Sequence, residues 1–406
     1  MDRKTALRKT GNTILILSVF ILTVIYSSTS FAMTREEFLP KIFQILEYTL
    51  PDKNLTQTEN DLTTMDAVRL SLEAMGWDFV ITAYGRATLL PEWSEKDPLY
   101  EIASNMSPPL PKQLLASFGK PFTEDKMPIL SEWIANCKKN VSWKASFKSD
   151  GTELILKKRG VGNPNSSANG DLEKGVNEPL YIAMLAIDII EVPSQIISAV
   201  MIGSEKATLS TIANENYNVV GAINGGYFAG SKPVGILKTQ GRMDNGKFHP
   251  KRSAFGWNKE GRAVFIDGEM TDDISKNKSY DIYTEILQAG PLLIKNGRVV
   301  DNSEMLNENI LNKRHPRTPV GTDCKRVYWA VIDGRNNMHS VGATIQETRK
   351  ICLNLGLTTA LNLDGGGSSS IWWRDFTFTS PSNKSEEERP IPYAILMFKP
   401  GTPVKD

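Results

Sequence analysis

Histidine is nearly missing from this 406-residue chain. There are three, His249, His315 and His339, and none lies in the N-terminal third. That third therefore has no imidazole base and no imidazole metal ligand. Cysteine is equally sparse: Cys137, Cys324 and Cys352, with no CxxC spacing, which excludes the common zinc frameworks. No HExxH or EF-hand pattern occurs, so no metal is assigned, although hard cations favour carboxylates such as Asp333 or Asp364; no cofactor is required. An excess of one charge is also lacking: 47 Lys and Arg stand against 46 Asp and Glu, for a net of +1. That balance excludes a general nucleic-acid binder. What remains is ordinary globular material, 40% hydrophobic and 23% charged, enough for a core, at a length that suggests two or three domains.

The main apolar run near the start is Ile14 to Ile25, broken by Ser18 and Thr23. It follows Arg3, Lys4, Arg8 and Lys9 and precedes Ser30-Phe31-Ala32. This is the pattern of a secretory signal over 1–32, with cleavage after Ala32, and the run is short for a membrane span. The expectation is an exported protein, in the periplasm, at the cell surface or secreted. Export permits disulfides, and Cys324–Cys352 is the pair within one expected domain.

Residues 33–140 read as a small all-α domain. Thr34 and Glu37 form a capping box ahead of Phe38, Ile42, Ile45 and Leu46 on one face. A second helix starts at Thr63 or Thr64 and stops at Gly76. A third starts at Thr123 and carries Met127, Leu130, Trp133 and Ile134. The phrases Met33-Thr34, Leu62-Thr63 and Phe122-Thr123 are similar to the helix starts of S-layer homology modules. That resemblance implies attachment to a cell-wall polymer. The alternative is a plain helical accessory domain.

Over 141–178 a hairpin around Ser149-Asp150-Gly151 leads into a Gly/Asn/Ser-rich loop. From Leu180 strands dominate: Tyr181–Ile190, Val219–Ile223, Ala263–Ile266, Pro291–Ile294, Val327–Ile332 and Ile391–Phe398. Turn pairs such as Asn245-Gly246 and Asn296-Gly297 separate them. Helices are few, the best being 205–214 and 344–355, the latter opened by a Thr344/Glu347 capping box. The fold class is α+β, with a mixed β-sheet domain over 179–400.

Five stretches share one design, a strand that runs into polar and glycine residues. They are Ile223-Asn224-Gly225-Gly226-Tyr227-Phe228, Gln288-Ala289-Gly290-Pro291, His315-Pro316-Arg317-Thr318, Ile332-Asp333-Gly334-Arg335 and Asn362-Leu363-Asp364-Gly365-Gly366-Gly367-Ser368-Ser369. Glycine after a strand lets another group approach the backbone, and successive free N–H groups make an anion-binding concavity. A lone Gly-rich hairpin turn is the plain alternative for the last stretch.

Ile223–Phe228, Arg317-Thr318, Val331–Arg335 with Ser340-Val341-Gly342, Asn362–Ser369 and the closing Arg389-Pro390-Ile391-Pro392-Tyr393-Ala394 follow one another in an order that resembles the phosphodiester glycosidase family. The likeness covers 178–400. The family includes the uncovering enzyme that removes N-acetylglucosamine from the mannose-6-phosphate tag, and bacterial exopolysaccharide-related proteins. It implies hydrolysis of a sugar-1-phosphodiester, in a phosphorylated carbohydrate or envelope glycan, at the anomeric carbon–oxygen bond. Pro319 departs from the family's usual small residue after Arg-Thr.

Such chemistry needs a guanidinium for the phosphate, carboxamides for hydroxyls and a carboxylate for oxocarbenium charge. Asp364 is the candidate carboxylate, as nucleophile or as base on water; the competing role is a turn cap. Arg317 is the expected phosphate clamp and Arg335 a second. Asp333 is either a partner carboxylate or an orienter of Arg335. Asn224 bonds the sugar or orients Asp364. Gly225, Gly226, Gly365, Gly366 and Gly367 supply close approach and N–H donors, with Ser368 beside them. Glu347 reads as a helix cap rather than a catalyst. His315 is placed to protonate a leaving group, although phosphate leaves with little help. Two other readings stand beside this one: a non-catalytic cell-wall or carbohydrate-binding protein, and a glycosidase of uncharged linkages, which needs two carboxylates about 5 to 10 Å apart.

Overall fold

The structure is a computed structural model that describes residues 32–48, 61–89, 97–149, 151–164, 178–188, 196–201, 205–246, 249, 252–258, 263–266, 281–301, 311–382 and 387–399. Residues 1–31, where a secretory signal is expected, and residues 165–177, part of the expected Gly/Asn/Ser-rich loop, lie outside the described residues. The described helices are α1 (Arg35–Leu46), α2 (Thr64–Ala74), α3 (Asp78–Thr88), α4 (Pro98–Asn105), α5 (Lys112–Leu115), α6 (Met127–Lys139), α7 (Leu209–Glu215) and α8 (Ile345–Asn354). The chain divides into two compact units, one of residues up to Ala74 with Leu110–Ala135, the other of Met75–Pro109 with Asn136 onward.

The first unit is helical. α1 opens on the Thr34/Glu37 capping box, and Thr63 bonds Asp66 through both its amide and its hydroxyl at the start of α2. The three Thr-led starts meet at one point. Met33 N–H donates to the Phe122 carbonyl, Phe122 N–H to Leu62 and Leu62 N–H to Met33, at 2.8, 2.7 and 2.9 Å. The closed ring satisfies backbone groups that helix N-termini otherwise leave open. Phe38 and Phe122 pack edge to face at 5.4 Å beside it.

The second unit carries the sheets and also α3 and α4, two helices between residues 78 and 105 that are not among the expected ones; α4 opens on an Asp97 cap with Pro98 behind it, whereas α3 has no side-chain cap. Its strands are β1 (Ser142–Ser149), β2 (Thr152–Arg159), β3 (Leu180–Asp188), β4 (Ile196–Met201), β5 (Val219–Asn224), β6 (Phe228–Ala229), β7 (Lys232–Pro233), β8 (Leu237–Thr239), β9 (Arg242–Asn245), β10 (Ser253–Trp257), β11 (Ala263–Ile266), β12 (Glu285–Ala289), β13 (Leu292–Lys295), β14 (Arg298–Val299), β15 (Pro319–Thr322), β16 (Arg326–Ile332), β17 (Thr359–Asn362), β18 (Ile371–Trp373), β19 (Phe376–Thr377) and β20 (Tyr393–Phe398). They form an eight-stranded sheet, β1-β2-β3-β16-β15-β17-β13-β14, and two five-stranded sheets, β11-β10-β12-β8-β9 and β19-β18-β5-β20-β4. A small β6-β7 ribbon is separate. The architecture is α+β.

Two expectations are corrected. Every pairing between these strands is antiparallel, in the central β3–β16 and β5–β20 ladders as in the hairpins, so the sheets are not mixed. Parallel pairing requires a crossover of a dozen or more residues, and here neighbouring strands pair by hairpin or return from another sheet. The pairing of Cys324 with Cys352 is also absent, since both are free. Cys352 is buried in the α8 core with Ile345, Leu357 and Ala360, whereas Cys324 is exposed and its Sγ bonds Thr358 Oγ1 at 3.3 Å.

Candidate active site

The eight-stranded sheet and the β5/β20 sheet meet where their strands end. β17 runs out at Asn362, and Pro319 at the start of β15 lies opposite it. β5 runs out at Asn224, opposite Ala394 of β20. Leu363 N–H then donates to Thr318 O at 2.8 Å, Asp364 N–H to Gly225 O at 3.3 Å and Gly366 N–H to Pro316 O at 2.9 Å. The triple-glycine corner and the Arg317-Thr318 segment are therefore in direct contact, as a single pocket requires.

Asn224 pins this corner. It is fully buried. Its Nδ2 donates to the carbonyls of Gly225 and Asp364 at 3.0 and 2.9 Å. Its Oδ1 accepts from Thr318 Oγ1 at 3.2 Å and Ser370 N–H at 3.1 Å. An amide offers two donors and one acceptor oxygen, and all are used by protein. Asn224 thus holds the Asp364 backbone rather than a sugar.

The glycines mostly admit protein. A Cβ on Gly225 would lie 2.4 Å from the Tyr393 ring, one on Gly226 2.9 Å from the Gln288 carbonyl, and one on Gly365 2.8 Å from Pro316 O. Gly366 has φ +63°, and a Cβ there would meet Arg335 Nη2 at 2.9 Å. Gly366 and Gly367 lie with Ser368 in a single 3₁₀ turn.

Asp364 is largely buried, and burial raises its pKa above the ordinary carboxylate value. The Ser368 hydroxyl, Arg389, the Gly365 N–H and Arg252 pull it back in that order. The turn-cap role and the site role coincide in one side chain. Among the described residues no second carboxylate interacts with it.

Guanidinium groups do surround it. Arg389 donates to Ser368 Oγ at 3.3 Å and lies 5.1 Å from the Phe228 ring centroid. Arg252 stacks 4.3 Å over Tyr227, and its Nη1 is buried with no hydrogen-bond partner. Arg335 faces Arg389, and burial lowers its pKa, with Arg389 adding to the effect. Its guanidinium makes no hydrogen bond or ion pair with any described residue. Tyr227 closes the ring of groups, donating from its hydroxyl to Gly290 O at 2.5 Å.

Arg317, the expected phosphate clamp, lies beneath the corner. It is buried, and its Nε and Nη2 donate to the carbonyls of Ala343 and Lys313 at 2.9 and 3.0 Å. Burial lowers its pKa to about 10. It is a strut beneath the site, close enough to interact with Tyr227 and Arg335. His315 lies two residues earlier, its backbone bonded both ways to Ala343. Glu347 completes the capping box of α8 and pairs with Arg314 at 2.8 Å, as a cap should.

Asp333 is neither partner carboxylate nor orienter of Arg335. Its Oδ2 accepts the Ser380 N–H at 2.8 Å and lies in hydrogen-bond contact with His339 Nε2 at 2.9 Å. Both side chains are buried beside Lys158, whose Nζ donates to the His339 carbonyl. Burial favours the uncharged form of each, raising Asp333 and lowering His339. The side chain points back into the core because residue 333 continues the β16 alternation, and only the turn after it, with Arg335 at φ +63°, swings outward.

Arg252, Tyr227, Arg389 and Tyr393 were not singled out from the sequence. Tyr227, Arg389 and Tyr393 lie inside stretches whose order was noticed. Arg252 follows no strand-glycine pattern, and its only signal is the fold. Among the described residues no group of three or more His, Cys, Asp or Glu could hold a metal ion.

Residues 217–398 match the model of the family described as phosphodiester glycosidase. This part of the chain is a phosphodiester glycosidase domain, and the protein is thereby a hydrolase acting on glycosyl bonds. The match does not reach residues 33–140, whose likeness to S-layer homology modules gains no support from it. No curated protein matches the chain. Two of the solved structures similar to it are as follows. One is the zebrafish N-acetylglucosamine-1-phosphodiester alpha-N-acetylglucosaminidase catalytic domain, auto-inhibited by its pro-peptide. It is 17% identical with a TM-score of 0.49, covering 64% of this chain and 88% of that one. The other is a protein of Synechocystis, 15% identical with a TM-score of 0.48, covering 64% and 78%.

Proposed function

We propose that the chain is an exported hydrolase that cleaves a sugar, N-acetylglucosamine as the first candidate, from a sugar-1-phosphodiester of an envelope glycan. The observation that carries this reading is one largely buried carboxylate among guanidiniums, with no second acid interacting with it among the described residues. Like charges gathered in a partly desolvated pocket repel each other and call for an anion. Arg335, whose guanidinium has no partner among the described residues, and Arg389, which among them bonds Ser368 and lies over Phe228, take the phosphate. Asp364 faces the anomeric carbon as nucleophile or as base on water, and balances oxocarbenium charge. The phosphate departs as a weak base and needs no proton from a second carboxylic acid.

The test is release of N-acetylglucosamine from UDP-N-acetylglucosamine and from a synthetic N-acetylglucosamine-1-phosphodiester by the purified mature chain. Asp364→Asn removes the carboxylate but keeps its shape, and is expected to lower kcat by about 10²- to 10⁴-fold. Arg335→Gln is expected to lower kcat/KM by about 10-fold or more, the loss of one charge-assisted contact. Unchanged turnover in Asp364→Asn overturns the assignment. Retention on glycan without release of sugar supports the binding-protein reading instead. Export is tested by N-terminal sequencing of protein recovered outside the cytoplasm, with Met33 as the expected first residue.

A further inference from the structure

A cavity of about 640 Å³ opens on the face of the eight-stranded sheet beside α8. That volume lies within the range of about 300 to 1,000 Å³ typical of small-molecule sites. It is not the Asp364 pocket: neither Asp364 nor Arg335, Arg389 or Arg252 lines it.

Its wall is cationic in a way that the described residues do not compensate. Lys144 of β1 and Lys157 of β2 are direct partners in the ladder. Directly opposed residues share a face with Cβ atoms about 5 Å apart, and like charges there are destabilising. Arg159 lies two residues further along β2, on the same face, and Lys350 comes in from α8. None of the four side chains makes a hydrogen bond or ion pair with any described residue. The cavity does hold two described acids, Glu178 and Glu347, but Arg314 pairs with both. Burial lowers the Lys157 amine's pKa, and Lys144 lowers it further.

Its floor is aliphatic. In the next rung of the sheet Leu180 lies opposite Arg159 and Ile182 opposite Lys157. Both belong to an apolar cluster against which Ile351 of α8 packs. Adjacent strands stand about 4.8 Å apart, so a stripe of cations with no partner among the described residues runs beside a stripe of aliphatic side chains.

We propose that this cleft is a binding site for a single-chain anionic amphiphile, its tail on Leu180, Ile182 and Ile351 and its acid headgroup on Lys144, Lys157, Arg159 and Lys350. A bare anion would leave the aliphatic stripe unused, and a neutral chain would leave the lysine pair unneutralised. The inference does not depend on the catalytic reading of Asp364.

The test is calorimetric titration of the full chain with dodecyl phosphate below its micellar concentration, against inorganic phosphate and dodecyl maltoside. One-to-one binding of dodecyl phosphate, at least about tenfold tighter than either control, is expected. The double change Lys157→Gln with Arg159→Gln is expected to weaken it about tenfold or more while the melting temperature holds. Ile351→Ser is expected to weaken dodecyl phosphate but not inorganic phosphate, and Arg335→Gln to leave dodecyl phosphate binding unchanged. Equal affinity for dodecyl phosphate and either control overturns the proposal. So does loss of dodecyl phosphate binding in Arg335→Gln, which would put the ligand in the Asp364 pocket.

Discussion

Asn224→Ala separates two roles that the sequence leaves open, a sugar contact and a structural pin. The side chain makes four hydrogen bonds within a fully buried site, to Gly225 O, Asp364 O, Thr318 Oγ1 and Ser370 N–H. Thr318 keeps a second partner in Ser369 Oγ at 3.0 Å, so its loss is small. The Ser370 N–H and the Asp364 carbonyl lose their Asn224 partner. A buried group left unsatisfied costs about 1 to 3 kcal/mol, and an ordinary bond contributes about 1 kcal/mol. The small void left by the amide adds to this. The expected destabilisation is about 3 to 5 kcal/mol, a large part of the usual 5 to 15 kcal/mol total. At about 2 to 4 °C per kcal/mol, the melting transition of the β-rich unit should fall by on the order of 10 °C. Denaturant titration with intrinsic fluorescence reads the free energy directly, and kinetics below the transition read the site. A variant that melts within about 1 kcal/mol of the parent but binds substrate poorly would refute the pin and restore the sugar contact.

Two other predictions concern buried charge. Asp364 has a folded pKa raised by burial, so its protonated form is favoured in the folded state. Its contribution to stability is complete below the unfolded pKa and is lost as pH rises through the folded one. Asp364→Asn should therefore melt no lower than the parent at pH 7, and any advantage should vanish near pH 3; a lower melting temperature at pH 7 refutes the sign. Lys158 is buried, with its pKa lowered to about 7, mainly by desolvation. Between about 7 and the unfolded value near 10.4, the unfolded chain holds a proton that the folded one lacks, so stability rises with pH. Lys158→Met should lose that rise, giving about 2 to 3 kcal/mol less gain than the parent between pH 7 and 9 in denaturant titrations; parallel pH dependences would refute it.

The corner at Asp364 was legible because its signals are local. An acid before three glycines, and Asn-Gly-Gly or Arg-Thr at strand ends, are unusual enough to mark a meeting point. Side-chain direction was the harder matter. Asp333 and Arg335 are two residues apart, and from sequence alone both face the ligand. The turn at Gly334 and the left-handed Arg335 send them to opposite surroundings. Arg317 follows the motif but is drawn under the site by the carbonyls of Ala343 and Lys313, partners distant in sequence or lacking any pattern. The glycines illustrate the same limit: a need for close approach is visible, but whether a ligand or Tyr393 fills the space is a tertiary fact. In the helical unit the Thr-led starts were legible as repeats of one phrase, whereas their closure into a ring of three backbone bonds was not.

The composition of the site constrains the shape of its pH profile. A glycosidase acting on a neutral linkage has to supply a proton to an alkoxide-like leaving group, and its rate falls on the alkaline side as that acid ionises. Among the described residues the one carboxylate placed at the corner is Asp364, and Asp333, whose uncharged form burial favours, is bonded to His339 and Ser380. The cationic groups at the pocket are guanidiniums, which hold their charge far into the alkaline range. A phosphate leaving group is already ionised and is drawn off by those charges. The profile of kcat/KM should then be a single ascending limb, governed by Asp364 and shifted above the ordinary carboxylate range by its burial, followed by a plateau through pH 8. Rates on UDP-N-acetylglucosamine from pH 4 to 9 would show this directly. A descending limb near neutrality would require a general acid that the described residues of the Asp364 corner do not supply, and the reaction would have to be reassigned to a linkage whose leaving group needs one.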